Sequence, residues 1–441
     1  MPNLIEELSW RGLIHQTTAD ANRAVLVDHL AAGQRVVYAG FDPTAESVTI
    51  GNLIPMMMLA HVQRAGHRPI VVMGGATGMI GDPSGKSAER QLQTRETVER
   101  NIEGQRPSFA RVLDFSPTSK APAIMLNNAD WLGKMTFLDM LRDVGKHFSV
   151  NMMIQKESVA ARLNTREQGI SYTEFSYMIL QAYDFEHIHR TYGCTVQMGG
   201  SDQFGNIVAG IDLIRKRSPK SPAGDAERAD LFGITAPLVT KADGSKIGKS
   251  ESGAIYLGAH KTSPYAFHQF WLNASDADVV NFLKWYTFLD RATVEGLAES
   301  VRTNPGAREA QRRLADEVVR MIHGETELAK AIAAAQALFS GDVRSLDAAT
   351  LKDVFAEVPR STHARAELAN GPVSLLDLLP QTSLVASKRE AREFLQNGAI
   401  SVNGEKAGPD RTLTTADLLH GTTILLRRGK KQWHATEWNA A

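Results

Sequence analysis

Lys246 and Lys249 stand three apart in Lys-Ile-Gly-Lys-Ser250, directly after Ala242-Asp-Gly-Ser, so two cations ride on one Gly-containing loop. Such a pair can close over a polyphosphate, although an isolated one is more often a solvated turn. Upstream, Gly40-Phe-Asp42-Pro-Thr44 runs on through Thr49-Ile-Gly51-Asn52 between an apolar run and a helical pattern. Its backbone N–H groups and the helix dipole suit an anion. A third loop, Gly74 to Ser87, looks superficially like a phosphate cradle, but Gly81-x-x-x-Gly85-Lys86-Ser87 is one residue short. Pro83 also removes an N–H donor, so a P-loop NTPase is the losing reading. Tyr177, Gln181 and Asp184 are four and three apart, which puts them on one helical face. Asp184 lies between Tyr183 and Phe185 and, if buried, needs a hydrogen-bond partner.

The elements that position these residues are legible from periodicity. Arg35 to Pro43 reads as a buried strand, and Leu53, Met56, Met57 and Ala60 give the following helix an apolar face that stops at Gly66. Pro69 to Met73 is a continuous apolar run, as in a strand covered on both faces. Cys194 to Met198 repeats the pattern, followed by a helix faced by Phe204, Ile207, Val208, Ile211 and Ile214, with Ser201 placed to cap it. Strand, loop and helix alternation predicts an α/β fold: a doubly wound, Rossmann-like parallel sheet with ligands above the strand ends. This catalytic domain is expected over 1–250, with a more helical insertion over about 123–192. Residues 251–359 read as a helical domain and 360–372 as a linker. A small α+β module over 373–441 has a capping box at Ser387 to Glu390 and an Asn403-Gly404 hairpin signal.

Lys plus Arg equals Asp plus Glu at 49 each in a chain of 441 residues, so a nucleic-acid surface must be local. The single cysteine, Cys194, excludes an intrachain disulfide and fits a reducing cytoplasm. The start, MPNLIEELSW, lacks the basic and apolar regions of an export signal. No apolar run approaches the roughly 20 residues needed to cross a bilayer.

In combination and order, these segments resemble the class I aminoacyl-tRNA synthetases, and among them the bacterial-type tyrosyl-tRNA synthetases. The likeness covers nearly the whole chain. Ser171 to Asp184 is similar to the family's tyrosine-pocket helix, Gly199-Gly200-Ser-Asp202-Gln203 to its ribose and carboxylate loop, and the C-terminal module to its S4-like RNA-binding domain. The resemblance implies activation of tyrosine with ATP and transfer to the 3′-terminal adenosine of tRNA(Tyr). Tyr38 and Asp184 would bind the phenolic hydroxyl. Asp82, Tyr177 and Gln181 would hold the ammonium, and Gln197 and Gln203 would orient the carboxylate. ATP would meet Gly40, Asp42, Thr44, Thr49, Gly51, Asn52, Gly200, Asp202, Lys246, Lys249 and Ser250. Lys246 and Lys249, supported by Lys86 and Arg90, would neutralise charge on the β- and γ-phosphates. A site that pairs a substrate hydroxyl rejects the analogue without it, this family being the standing example, so no editing domain is expected.

One departure stands out: Thr49 and Asn52 occupy positions where the family usually has histidines. In-line attack by a carboxylate on the α-phosphate needs positioning and charge stabilisation rather than a proton transfer. Hydroxyls of Thr44 and Thr49 and the Asn52 amide are donors enough. These two substitutions are the sole support for a rival reading, a catalytically silent paralogue that binds RNA. The tryptophanyl enzymes share the fold and signatures, and Tyr38, Asp184 and the S4-like module argue against them. For tRNA, Lys388, Arg389 and Arg392 on a helix and Arg427, Arg428, Lys430 and Lys431 beside Trp433 form a local basic and aromatic surface. Mg²⁺ is expected with ATP, no structural metal is expected, and the resemblance implies a homodimer without a membrane span.

Overall fold

The computed structural model describes residues 3–84, 92–156, 159–160, 170–218, 230–240, 242, 244, 247, 249–250, 253–356, 358–429 and 432–439. The chain divides into two compact units, Met1–Thr262 with Asn273–Ile322, and Ser263–Leu272 with His323–Ala441.

The first unit is built on a six-stranded sheet: β1 (Gln16–Thr17), β2 (Val36–Phe41), β3 (Arg68–Met73), β4 (Ile124–Asn127), β5 (Cys194–Gly200) and β6 (Phe232–Ala236). Their spatial order is β1-β6-β5-β2-β3-β4, parallel throughout except for the antiparallel edge pair β1–β6. Chain order reverses between β2 and β5, so the crevice for a ligand opens above their carboxyl ends. β4 was hidden inside the stretch read as a helical insertion. It has only four residues, all half-buried, too few for its period to stand out.

Helix Ile50–Arg64 follows β2 and is buried on more sides than its expected stripe, with Ile54, Met58, Leu59 and Val62 joining Leu53, Met56, Met57 and Ala60. Helix Tyr172–Tyr192 starts where Ser171 accepts from the Glu174 amide and ends at Gly193 in the left-handed conformation, φ 66°. Ser201 caps nothing: residues 201–203 form a 3-10 turn, and helix Phe204–Arg217 begins behind it. Tyr38, Ile70, Val72, Phe185, Ile188, Ile207 and Ile211 close into one core on the sheet. A hairpin of β7 (Lys249–Ser250) and β8 (Gly253–Ala254) follows.

The second unit holds β9 (Arg360–Ala364), β10 (Val373–Ser374), β11 (Ile400–Val402), β12 (Glu405–Lys406), β13 (Thr412–Leu413), β14 (Thr423–Arg428) and β15 (Gln432–Asn439). Five of them form a sheet in the order β12-β11-β14-β15-β9, whose last pair is parallel. Alternation along β14 sends Ile424 and Leu426 into one core with Trp438, and Leu425 into another with Trp433. The expected hairpin forms with Asn403 at φ 48° and Gly404 at φ 91°. The stretch 360–372, read as a linker, is instead β9 and helix Arg365–Asn370 of this unit. Its partner strand β15 lies some seventy residues on, beyond the reach of local pattern. The helical stretch 251–359 is shared between the two units.

Candidate active site

Tyr38 on β2 and Gln197 on β5 are register partners across the point where strand order reverses. Both are almost fully buried, and neither Tyr38 Oη nor Gln197 Oε1 finds a hydrogen-bond partner among the described residues. Burial, with the Asp184 charge adding, raises the Tyr38 phenol well above its ordinary pKa. The hydroxyl therefore stays protonated, a buried donor without an acceptor among the described residues.

Asp184 is 4% exposed in the middle of its helix. Trp131 Nε1 donates to its Oδ1 at 2.7 Å and Asn128 Nδ2 to its Oδ2 at 2.9 Å. Each such bond to a carboxylate contributes about 1.5–3 kcal/mol. Desolvation outweighs them, and the carboxyl is pushed up to about 7, with the Asp42 charge adding. Asn128 and Trp131 escaped the sequence reading. Asn128 is the N-cap and Trp131 the third residue of the short helix Ala129–Leu132 after β4, and only the fold brings that turn against Asp184.

From Asp184 a bonded chain leads to the first signature loop. Asn128 Nδ2 also donates to Thr77 Oγ1 at 3.0 Å, and Thr77 Oγ1 donates to Asp42 Oδ1 at 2.8 Å. Tyr177 Oη donates to Asp42 Oδ2 at 2.9 Å, and burial first, then Asp42 and Asp82, raises its phenol well above the ordinary range. Opposite, Gln203 Nε2 donates to Asp82 Oδ2 at 2.5 Å and to Asp202 Oδ2 at 3.2 Å. Gln181 Oε1 accepts from Asn206 Nδ2 at 3.0 Å. A Cβ on Gly200 would sit 2.5 Å from Asp202 Oδ1, so a side chain there would move that carboxylate.

The Gly-rich loop after β3 serves close approach. A Cβ on Gly74 would lie 2.2 Å from Asp42 Oδ1, on Gly75 2.0 Å from Asn127 Oδ1, and on Gly78 2.9 Å from Pro43 Cδ. The signature loop is also held from behind by helix Arg95–Val112: Asn101 Nδ2 donates to the Pro43 carbonyl at 2.8 Å and Gln105 Nε2 to the Ala45 carbonyl at 2.7 Å. Thr44, also on this loop, is exposed, as are Gly40 and Gly51.

The loop from Gly40 to Asn52 and the segment that follows the lysine hairpin are physically joined. Just past the lysine hairpin, Ile255 O accepts from Ile50 N at 3.1 Å, and Leu257 N donates to Val48 O at 2.9 Å. Gly258 N donates to Ser47 Oγ at 2.8 Å. Main-chain pairing of Lys249 with Ala254 and Ser250 with Gly253 sets the hairpin. Lys86, Arg90, Lys246, Lys430 and Lys431 lie outside the described residues.

Thr49 and Asn52 are bonded to each other: Thr49 N and Oγ1 donate to Asn52 Oδ1 at 3.2 and 2.9 Å. The Thr49 hydroxyl is thus spent on the helix start rather than presented outward as expected. Asn52 itself is exposed, and its side-chain oxygen accepts both bonds. In the second unit Trp433, expected at an RNA-binding surface, is instead buried in the core under the Arg427 guanidinium at 4.9 Å and offers no stacking face. Lys388 pairs with Asp377 and Arg428 with Glu390, whereas Arg389 and Arg392 are exposed on the same helix.

Comparison with known proteins places this geometry. Residues 31–340 match the family described as tRNA synthetases class I (W and Y), and residues 350–436 match the tyrosine–tRNA ligase SYY-like C-terminal domain. The chain is 48% identical over 436 residues to the tyrosine–tRNA ligase of Staphylococcus carnosus, covering 99% of both. It also resembles the crystal structure of a C-terminally truncated mitochondrial tyrosyl-tRNA synthetase from Aspergillus nidulans, with TM-score 0.68 and 30% identity over 77% of this chain and 95% of that one. A tryptophan-bound tryptophanyl-tRNA synthetase from Encephalitozoon cuniculi, 13% identical with TM-score 0.52 over 79% and 90% of the two chains, shares the fold alone.

Proposed function

This chain belongs to the class I tRNA synthetases, in their tyrosine-specific branch, and from that premise we propose how its residues divide the ligation of tyrosine to tRNA. The enzyme activates tyrosine with ATP and passes it to tRNA. Tyr38 Oη and the Asp184 carboxylate take the substrate's phenolic hydroxyl between them, one donating and the other accepting. Asp82, Tyr177 and Gln181 receive the ammonium group. Gln197 and Gln203 orient the carboxylate for in-line attack on the α-phosphate, which leaves pyrophosphate. The loop from Gly40 to Asn52 takes the nucleotide, with Gly200 and Asp202 at its ribose. Lys246 and Lys249, with Lys86 and Arg90, stabilise the charge that builds on the departing phosphates. Mg²⁺ arrives with ATP as part of the substrate.

The observation that carries this assignment is the unpartnered Tyr38 hydroxyl, buried within reach of the charge of a buried Asp184. A hydroxyl left so in a core is unfavourable by about 1–3 kcal/mol unless a ligand meets it. The test is tyrosine-dependent exchange of pyrophosphate into ATP by the purified protein. Phenylalanine supporting exchange with a kcat/KM equal to that of tyrosine would overturn the assignment.

The reaction runs in the cytoplasm on a homodimer. Phe137, Leu138, Leu141, Val150, Met152, Ile154 and Tyr172 are exposed large hydrophobics crowded into one stretch between β4 and β5, as a subunit interface requires. In the second unit Arg389, Arg392 and Arg427 contact tRNA phosphates.

A further inference from the structure

Trp131 is gripped twice by helix Tyr172–Tyr192. Its indole N–H donates to Asp184 Oδ1 at 2.7 Å. One turn along the same helix, the His187 imidazole lies flat on the indole, with centroids 4.5 Å apart and planes 16° from parallel. Asp184 and His187 are three apart, so a single helical face supplies both grips. The two constrain different motions. A hydrogen bond fixes where the N–H points but lets the ring pivot about that direction, and a flat stack removes the pivot.

Trp131 needs this help. It sits on a four-residue helix, Ala129–Leu132, which is far below the length at which a helix holds itself, and it is only half-buried. His187 has little else to do there. Its Nδ1 is buried and meets no hydrogen-bond partner among the described residues, and Tyr183 tilts against the ring at 6.3 Å. Burial first, with Arg190 adding, holds the imidazole below its ordinary pKa, so the ring is neutral and presents its face rather than a charge.

We propose that His187 is a positioning residue for tyrosine selection: by stacking on Trp131 it keeps the indole N–H on Asp184 and so keeps that carboxylate aimed at the substrate's phenolic hydroxyl. The inference rests on the assignment of Asp184 to that hydroxyl. Without the stack, Trp131 swings, Oδ1 loses its donor and the carboxylate turns. The loss falls on ligands that carry a phenolic hydroxyl. It spares phenylalanine, which makes no bond to Asp184, and ATP.

Pyrophosphate exchange with tyrosine, phenylalanine and ATP as varied substrates tests this with His187→Ala, His187→Phe and Asp184→Asn. His187→Ala should raise the KM for tyrosine by about three- to tenfold, the range a lost aromatic stack spans. The KM values for phenylalanine and ATP should stay in place. His187→Phe, which restores a flat ring, should recover most of the loss. Equal KM values in His187→Ala and the parent, parallel shifts for tyrosine and phenylalanine, or a Phe variant as impaired as the Ala variant would each overturn the proposal. If the Ala variant does not fold, His187→Leu against His187→Phe makes the same comparison, since leucine fills space without a flat face. Asp184→Asn separates the two layers. Should it leave tyrosine preference intact, the assignment of Asp184 fails; should it abolish preference while His187→Ala changes nothing, the role of His187 alone fails.

Discussion

Tyr38 and Gln197 face each other as register partners on neighbouring parallel strands, and each buries a polar atom that no described residue meets. Two such atoms side by side at the topological switch point are a stability deficit held open for a ligand. Tyr38→Phe should therefore do two opposite things. It should raise the denaturant midpoint, by about 1 kcal/mol of stability, because an unmet hydroxyl disappears. It should also raise the KM for tyrosine. Chemical denaturation and exchange kinetics on one preparation check both, and a variant that is less stable and binds tyrosine unchanged would contradict the pairing.

Burial pushes the Asp184 carboxyl up to about 7, which fixes a sign. The folded protein holds this proton more tightly than the unfolded chain does. Ionisation of Asp184 therefore opposes folding above about pH 7, and the opposition fades as pH falls toward the ordinary carboxylate range. Tyrosine binding runs the other way, because the ionised form accepts the phenolic proton. The KM for tyrosine should fall as pH rises through this window and then level, and Asp184→Asn should flatten the profile.

Gly74 presses on the loop that carries Asp42, since a Cβ there would stand 2.2 Å from Asp42 Oδ1. Gly74→Ala must displace the carboxylate that accepts from Tyr177 and Thr77. Adenylate formation should drop by about 10²-fold, the cost of misplacing reacting groups by an ångström. Stopped-flow measurement of single-turnover adenylate formation would show it.

Arg389 and Arg392 are exposed on helix Lys388–Gln396, whose neighbours Lys388 and Arg428 are engaged by carboxylates. Arg389→Ala with Arg392→Ala should weaken tRNA binding and flatten its salt dependence by about one unit of slope per contact. Pyrophosphate exchange should be untouched. Filter binding across a salt series, beside an exchange assay, decides.

Leu138 is 75% exposed in the apolar stretch between β4 and β5. Leu138→Glu places a charge that a closed interface cannot hydrate. Sedimentation should then show monomer where the parent chain shows dimer, and a monomeric parent would remove the interface.

The sequence by itself determined the chemistry. Signature order, the four-and-three spacing of Tyr177, Gln181 and Asp184, and the alternation of apolar runs with Gly loops are local facts, and local facts survive in one dimension. Tertiary structure decided how that chemistry is aimed. Asn128 and Trp131 reach Asp184 from more than fifty residues away, and Asn101 and Gln105 hold the Pro43 and Ala45 carbonyls across a similar gap. Trp433 is covered in a core, an outcome set by packing against elements that composition does not name, whereas Thr49 spends its hydroxyl locally, on Asn52 three residues on. β4 and β9 were missed for the same reason: short strands carry almost no period, and their partners supply the hydrogen bonds that make them strands.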